Sequence, residues 1–185
     1  MMATTHAFVA LAAVAPVAYA APPELATPLA AGAILGGLAP DLDVAVEHRR
    51  TLHFPLLGSL PAATAIAVAL IATTHLSVAL AAFAVGAWLH AASDAIGGGP
   101  EFDPWTNPTE RAVYDHLRGR WIRPRRWIRY DGAPEDAAAA LLLAVPVLFV
   151  FDARWIRGLA VAGIVVSVGY ALLRRRVAEW AGSGL

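Results

Sequence analysis

The chain has 185 residues, of which 58% are hydrophobic and only 15% are charged, with fourteen basic residues balancing fourteen acidic ones. A water-soluble domain of this length cannot hide so much apolar surface behind its polar residues, which excludes an ordinary soluble protein. The zero net charge gives no general attraction to nucleic acid, and the absence of cysteine excludes disulfides, thiolate metal sites and cysteine nucleophiles.

The first apolar run ends in Ala18-Tyr19-Ala20, which is typical of a signal-peptide cleavage site. A signal peptide also carries Lys or Arg before its apolar core, and none is present here. We therefore predict a retained first membrane helix, which keeps His6 in the protein.

Six apolar runs follow one another along the chain, and crossing a bilayer takes about 20 such residues in a helix. They predict an all-α polytopic membrane bundle in a single domain, residues 1–185, with helices at about 5–22, 25–39, 55–74, 76–95, 136–151 and 156–174. The second and fifth runs are short, so tilted, partly buried or re-entrant helices are alternatives there. We expect four glycines to let helices approach closely: Gly32, Gly36, Gly37 and Gly86.

A long polar loop, residues 96–135, separates the fourth run from the fifth and holds seven of the fourteen arginines together with three tryptophans. Arginine and tryptophan at a bilayer edge are typical of the headgroup zone. Alternation in residues 120–130 favours either a short hairpin or an interfacial segment. We expect this loop to contact membrane lipid, and a soluble protein partner is a second candidate for its basic surface.

The arginines also predict the orientation of the chain, because positive residues favour the cytoplasmic side. They form three groups, at residues 49–50, in the polar loop and at residues 174–176, with one further pair at Arg154 and Arg157. Six spans with both termini inside place all three groups on one face. The pattern therefore predicts a multi-pass protein of the inner, cytoplasmic membrane with both termini in the cytoplasm.

The arginines alone defined this topology. Seven further ionisable residues, which played no part in defining it, also lie near the same face. Imidazole with carboxylate suits zinc, manganese or iron, and ionisable groups beside membrane helices are costly enough to indicate function. The pattern predicts a site for one to three divalent ions, with zinc the first candidate. The predicted ligands are His6, Asp41, Asp43, His48, His53, His90 and Asp94.

Spacing supports this site, although each residue taken alone also has a plain structural interpretation. His90 and Asp94 are four residues apart, which places them on one helix face, and they would also suit a buried hydrogen-bonded pair. Asp41 and Asp43 straddle a turn where two carboxylates can converge, or where they cap the next segment. The presence of four of the six histidines in the set favours the metal site.

The two remaining histidines are weaker candidates. His75 is expected on the opposite membrane face, in a loop or headgroup role. His116 and Asp103 lie in the polar loop on the same face as the set. His116 is a further candidate ligand or acid–base group, with a solvated loop position as the alternative.

At these positions the sequence resembles the YdjM-like membrane-bound metal-dependent hydrolases, described as LexA-binding, inner-membrane-associated hydrolases. The resemblance covers about the first hundred residues. It depends on an early His6, the Gly-Gly-Leu-Ala-Pro-Asp-Leu-Asp segment 36–43, His48-Arg49 with His53 five residues on, and His90-x-x-x-Asp94. The family tends to have Thr-His-Ser at the second histidine, where this chain has Thr-Leu-His-Phe. That family is in turn distantly similar to zinc-dependent phospholipase C and P1-type nucleases, which implies phosphoester hydrolysis.

The first function hypothesis is a metal-dependent hydrolase of phosphoester or other amphipathic substrates at the cytoplasmic face. Asp43 would act as catalytic base, and Arg49 or Arg50 would stabilise an anionic substrate group. The second hypothesis is a non-catalytic membrane scaffold or partner-binding protein with a structural metal or polar cluster. A transporter is a weaker third, because its ionisable residues belong at mid-membrane.

Overall fold

The structure, a computed structural model, describes residues 1–182 and consists mainly of helices. The predicted helical class and the number of six helices are confirmed within these residues. The helices are α1 (Ala3–Ala20), α2 (Ala26–Leu38), α3 (Ser59–Ile71), α4 (His75–Asp94), α5 (Pro134–Val150) and α6 (Arg154–Gly182). Two 3-10 segments, Pro23–Leu25 and Ala39–Ala45, extend α2 at either end.

Four helical stretches are long and apolar enough to cross a membrane: Ala3–Ala20, Pro23–Ala45, His75–Asp94 and Arg154–Trp180. Helix α3 is shorter than the predicted 55–74 run, and its 13 residues span about 20 Å against a bilayer core of about 30 Å. Thr74 sets the boundary, because its hydroxyl accepts from the backbone N–H of Ser77 and caps α4. Large apolar side chains remain exposed around the helices, including Ile71 (87%) and Phe149 (83%).

Small residues let α2 pack against α4 at close range, which confirms the glycine prediction. A Cβ atom added at Gly36 would overlap the carbonyl oxygen of Phe83, and one at Gly32 would overlap that of Ala79. A Cβ atom at Gly37 would lie 2.9 Å from the carbonyl oxygen of His6 in α1. The backbones of α1, α2 and α4 therefore approach closely just below the end of the bundle where the predicted ligands lie.

A short hairpin forms in the polar loop at residues 113–122, and it overlaps the segment predicted as a hairpin or interfacial stretch, residues 120–130, only in its second strand. Strand β1 (Val113–Asp115) pairs antiparallel with β2 (Arg120–Ile122). Buried Asp115 accepts hydrogen bonds from the N–H groups of Leu117 and Arg118 in the turn, and Gly119 has φ +63°. Pro124 follows β2 and cannot donate to a ladder, so the strand ends before residues 123–130.

Helix direction alternates, so chain segments far apart in sequence meet at one end of the bundle. The backbone N–H of Met2 donates to the Asp136 carboxylate at the start of α5, and the Thr5 hydroxyl donates to the same carboxylate. The end of α4 meets the end of α2 through His90 and the carbonyl of Gly37. His75 begins α4 and lies about 22 Å along the helix from His90, at the opposite end as predicted.

Candidate metal centre

Two groups of side chains in the described part of the chain could hold a metal ion, and they share His90. One group is His6, His90 and Asp94, and the other is Asp41, His53 and His90. Within each group the ligand atoms lie within 4.8 Å of one another. We call these five residues the metal cluster. His90 and Asp94 come from the last turns of α4, His6 from α1, Asp41 from the segment after α2, and His53 from the loop before α3.

Three ligand atoms of the metal cluster converge on one point, with a fourth beside them, and His90 Nε2 lies 3.7 Å from Asp94 Oδ2. His53 Nε2 lies 3.2 Å from His90 Nε2 and 3.3 Å from Asp94 Oδ2. Asp41 Oδ1 lies 3.3 Å from His90 Nε2 and 4.0 Å from His53 Nε2. Bonds near 2.0 Å in a tetrahedral zinc site place ligand atoms about 3.3 Å apart. The separations among His53, His90 and Asp94 therefore suit three ligands of one tetrahedral ion, with Asp41 next to its fourth position.

Hydrogen bonds behind two of the rings fix which imidazole nitrogen faces this point. His90 Nδ1 donates to the carbonyl oxygen of Gly37 at 2.7 Å, and His53 Nδ1 donates to Asp43 Oδ2 at 2.9 Å. Each neutral ring therefore presents the lone pair of Nε2 to the cluster. Metal-binding histidines in proteins are oriented in this way by carbonyl or carboxylate partners.

His6 has the same arrangement and stacks on His90 with ring centroids 3.6 Å apart. The Ser93 hydroxyl donates to the carbonyl oxygen of His90, so it accepts from His6 Nδ1 at 3.1 Å. His6 Nε2 then faces Asp94 Oδ1 at 3.2 Å as an acceptor. Ser93 thus has a supporting role that its position beside Asp94 in the sequence does not reveal.

The centre of the metal cluster is lined by acceptors that have little access to water. His53 and His90 are fully buried, Asp94 is 1% exposed, and Asp94 Oδ2 has no hydrogen-bond donor. Buried acceptors without a donor cost free energy, so this arrangement requires a cation or additional protons. Burial alone would lower the pKa of His53, but the nearby Asp94 and Asp43 carboxylates outweigh it and raise that pKa. Protons therefore compete with a metal ion at His53.

Arg49 supports the cluster from the opposite side of Asp94. Its Nη2 lies 3.5 Å from Asp94 Oδ1, and its Nη1 donates to the carbonyl oxygen of Gly98 at 2.6 Å. The side chain is 4% exposed, and the backbone has φ +61°. The α-amino group of Met1 lies 3.3 Å from the same carboxylate oxygen. Because donors surround Oδ1, Asp94 directs Oδ2 towards His53 and His90.

The other two predicted ligands, Asp43 and His48, lie outside the metal cluster and contact it through His53. The buried Asp43 carboxylate accepts from the backbone N–H groups of Arg49 and Leu52 and from the His53 ring. His48 Nδ1 also lies 3.0 Å from this carboxylate. These contacts place Asp43 behind His53, away from the convergence point. The predicted set of seven is thus divided into five clustered residues and two supporting ones.

The weaker candidates take other positions. His116 Nε2 donates to the carbonyl oxygen of Arg50 at 2.7 Å, and its ring stacks on Phe54. Asp103 accepts from the hydroxyl of Thr106. Arg50 pairs with Glu47 at the surface, and this contact raises its pKa. None of these side chains belongs to the two metal-compatible groups found among residues 1–182.

A cleft of about 470 Å³ opens beside the metal cluster. Asp41, Arg49, Tyr170 and Arg174 contribute to its walls. Asp41 is 32% exposed, so it joins the buried ligands to this open space. Sequence reasoning placed Arg174 with its neighbours on the cytoplasmic side, after the last apolar run. Nothing in the Arg-Arg-Arg run distinguishes it from them, apart from its four-residue spacing from Tyr170.

Comparison of the chain with protein-family models, with curated proteins and with solved structures finds no match. The resemblance to the YdjM-like family therefore stays a prediction. The functional argument depends on the geometry of the metal cluster and the cleft.

Proposed function

We propose that the protein is a membrane-embedded, metal-dependent hydrolase, with one divalent ion, zinc first, held by His53, His90 and Asp94 and with Asp41 beside its fourth position. The main support is the convergence of three acceptor atoms on a buried point where Asp94 Oδ2 has no donor. His6 lies beside them, with its Nε2 3.2 Å from Asp94 Oδ1. The proposed single ion follows from the shared His90, because one imidazole nitrogen binds one ion.

The exposure of Asp41 supports catalysis over a purely structural role. A catalytic metal keeps one position open to water or substrate, whereas a structural metal is closed off by protein ligands. Asp41 is both a candidate ligand and a wall of the cleft, so substrate can approach the ion from that side. A bound ion would lower the pKa of a coordinated water and polarise a phosphoryl or acyl oxygen. Arg49 lines the same cleft and would stabilise negative charge on the substrate.

The surroundings of the cleft support an amphipathic substrate. Leu42, Val44 and Val46 follow the end of α2 and are 70%, 73% and 77% exposed. They lie at the end of apolar helices that have the length to cross a membrane. The resemblance to the YdjM-like family, and the distant similarity of that family to zinc-dependent phospholipase C, favour a phosphoester. We propose that this end faces the cytoplasm, as the arginine distribution predicts.

Hydrolysis by the detergent-purified, metal-loaded protein tests this proposal. We expect cleavage of bis(p-nitrophenyl) phosphate or, failing that, of p-nitrophenyl butyrate, and we expect Asp94→Asn to abolish it. Asp152→Asn is the matched control, because Asp152 is 92% exposed and follows α5 at the opposite end of the bundle. A metal-loaded protein that cleaves neither ester would contradict the proposal, as would full activity in the Asp94 variant.

The scaffold with a structural metal is the second candidate, and one observation favours it. Among the five residues of the metal cluster, His6, His53, His90 and Asp94 are at most 1% exposed. Cobalt substitution separates the two functions, because the visible spectrum of Co²⁺ responds to its ligands. In the hydrolase, added phosphate shifts the spectrum by entering the open position. In the scaffold, the spectrum does not respond to phosphate.

A further inference from the structure

Three residues lining the cleft carry buried polar atoms without a hydrogen-bond partner: Arg49 Nε, Arg174 Nη1 and Glu101 Oε2. Among the described residues, only Asp94 in the metal cluster and Asp103 in the polar loop carry another such atom. Unpaired buried polar atoms are rare in folded proteins, because each loses its hydration without compensation. Their concentration in one cleft indicates a ligand that supplies the missing partners.

Three hydrogen bonds hold the guanidinium of Arg174, and one of its nitrogens has no partner. Its Nε donates to the carbonyl oxygen of Asp131 at 2.9 Å, and its Nη2 donates to Asp131 Oδ1 at 3.1 Å and to the carbonyl of Phe102 at 3.0 Å. Its guanidinium lies 5.4 Å from the centroid of the Trp105 ring. The side chain is 3% exposed, and Nη1 alone remains unpaired. Such a fixed guanidinium is suited to binding an oxyanion, because its geometry is already set.

Charge balance in the cleft indicates what kind of oxyanion fits. Asp131 is engaged by Arg174 and by the Tyr170 hydroxyl at 2.7 Å, and Asp41 belongs to the metal cluster. Two arginine donors therefore remain for an anion, while Glu101 offers one acceptor. A bare phosphate would satisfy the arginines and leave Glu101 Oε2 without a donor. A phosphate ester that also carries a donor group satisfies all three.

We propose that this cleft binds a phosphate ester whose alcohol part carries a hydroxyl or ammonium group. Arg49 and Arg174 bind the phosphate oxygens, and Glu101 accepts from the hydroxyl or ammonium. Phe102, which is 64% exposed, also lines the cleft and provides apolar contact for an attached chain. This inference names the substrate class of the proposed hydrolase and rests on that function. The same chemistry occurs in a lipid headgroup and in a soluble phosphate ester.

Calorimetric titration of the protein in a phosphate-free maltoside detergent tests this subsite. The probes are dihexanoylphosphatidylglycerol for the lipid source, glycerol 3-phosphate for the soluble source, and inorganic phosphate. Each is titrated into the protein as purified and after chelator treatment, so that binding and metal content are measured separately. We expect both esters to bind more tightly than inorganic phosphate. Tighter binding of the acylated probe identifies a lipid source, and equal binding identifies a soluble one.

Two variants identify the residues responsible. Arg174→Gln should weaken binding of both esters about tenfold or more, as expected for a hydrogen bond to a charged group. Arg176→Gln, an exposed position two residues further along α6, should leave it unchanged. Glu101→Gln should reduce the preference for glycerol 3-phosphate over inorganic phosphate. This second variant tests the subsite even if Arg174→Gln fails to fold.

The outcomes separate this inference from the proposed function. If the protein binds metal and hydrolyses esters while Arg174→Gln and Glu101→Gln bind all probes as wild type does, the subsite is wrong and the hydrolase stands. If no metal binds but the esters bind in an Arg174-dependent way, the subsite stands and the hydrolase is wrong. Absence of ester binding to the wild type overturns the subsite in either case.

Discussion

Asp43 and Asp94 are both buried aspartates, but their contacts assign them different roles. Asp94 directs an oxygen without a donor towards His53 and His90, whereas Asp43 orients His53 from behind. We predict that Asp43→Asn lowers metal affinity about 10- to 100-fold while the number of bound ions stays the same, as is usual for a supporting partner. Asp94→Asn should abolish binding. Competition with a chelator measures both, and equal loss in the two variants would make Asp43 a ligand.

Residue type and spacing predicted which side chains would meet, but not their exact roles. Helical periodicity predicted that His90 and Asp94 share one face, and the topology derived from the arginines placed His6, Asp41 and His53 at the same end of the bundle. Whether Asp43 contacts an ion or the back of a histidine depends on side-chain direction, which no sequence pattern encodes. The role proposed for Arg174 depends on Asp131 and Phe102, which are 43 and 72 residues away in the chain.

The close contact between α2 and α4 supports the metal cluster, because α2 leads into Asp41 and α4 carries His90. We predict that Gly36→Ala destabilises the protein by about 1–3 kcal/mol, since the added methyl overlaps the carbonyl of Phe83. Metal affinity should fall with it. Gly158→Ala is the control, because nothing lies within 4 Å of its added Cβ and alanine favours a helix. Thermal unfolding in detergent measures both, and equal stability would contradict this packing.

The start of α5 predicts a specific pH dependence. Arg129 donates from Nε and Nη2 to the Glu135 carboxylate at 2.7 and 3.1 Å and lowers the pKa of Glu135 to about 2 from 4.5. A depressed acid pKa contributes stability that is complete above the unfolded value and is lost as the pH falls towards the folded value. The loss should therefore occur between pH 4.5 and about 2.

Comparison with Glu135→Gln measures this contribution. At neutral pH the free energy of unfolding of the wild type should exceed that of the variant, by no more than about 1 kcal/mol because the pair is so exposed. The two curves should merge as the pH approaches 2. Glu24→Gln, exposed near the start of α2, serves as the control for replacing a surface glutamate. A difference between wild type and Glu135→Gln that persists at low pH would rule out this ion pair as its source.

Sequence patterns predicted the number and order of the helices more accurately than the residues at which the helices end. Six apolar runs became six helices, because apolar length is a local property of the chain. The end of α3 and the start of the hairpin depend on the cap at Thr74 and on the turn around Asp115, which hydrophobicity does not report. These local hydrogen bonds shortened one predicted helix and placed the hairpin at residues 113–122, earlier than the segment at 120–130 predicted as a hairpin or interfacial stretch.

The whole molecule has its basic loop and metal cluster at one end of apolar helices, which predicts a membrane protein with that end in the cytoplasm. The chain has no cysteine, so single cysteines report accessibility without further changes. Leu117→Cys, at a position 63% exposed in the polar loop, should react with an impermeant maleimide only in inverted membrane vesicles. His75→Cys, at the other end of α4, should react only in right-side-out vesicles. Labelling of both from one side would contradict this topology.

The most direct test of the central claim is the metal content of the detergent-purified protein, measured by mass spectrometry. Purification in metal-supplemented buffer should give about one ion per chain in the wild type. His90→Ala should lose it, and His75→Ala, an exposed histidine at the opposite end of the same helix, should retain it. A wild type without metal, or a His90 variant that binds as much metal as the His75 variant, would contradict the proposed metal centre.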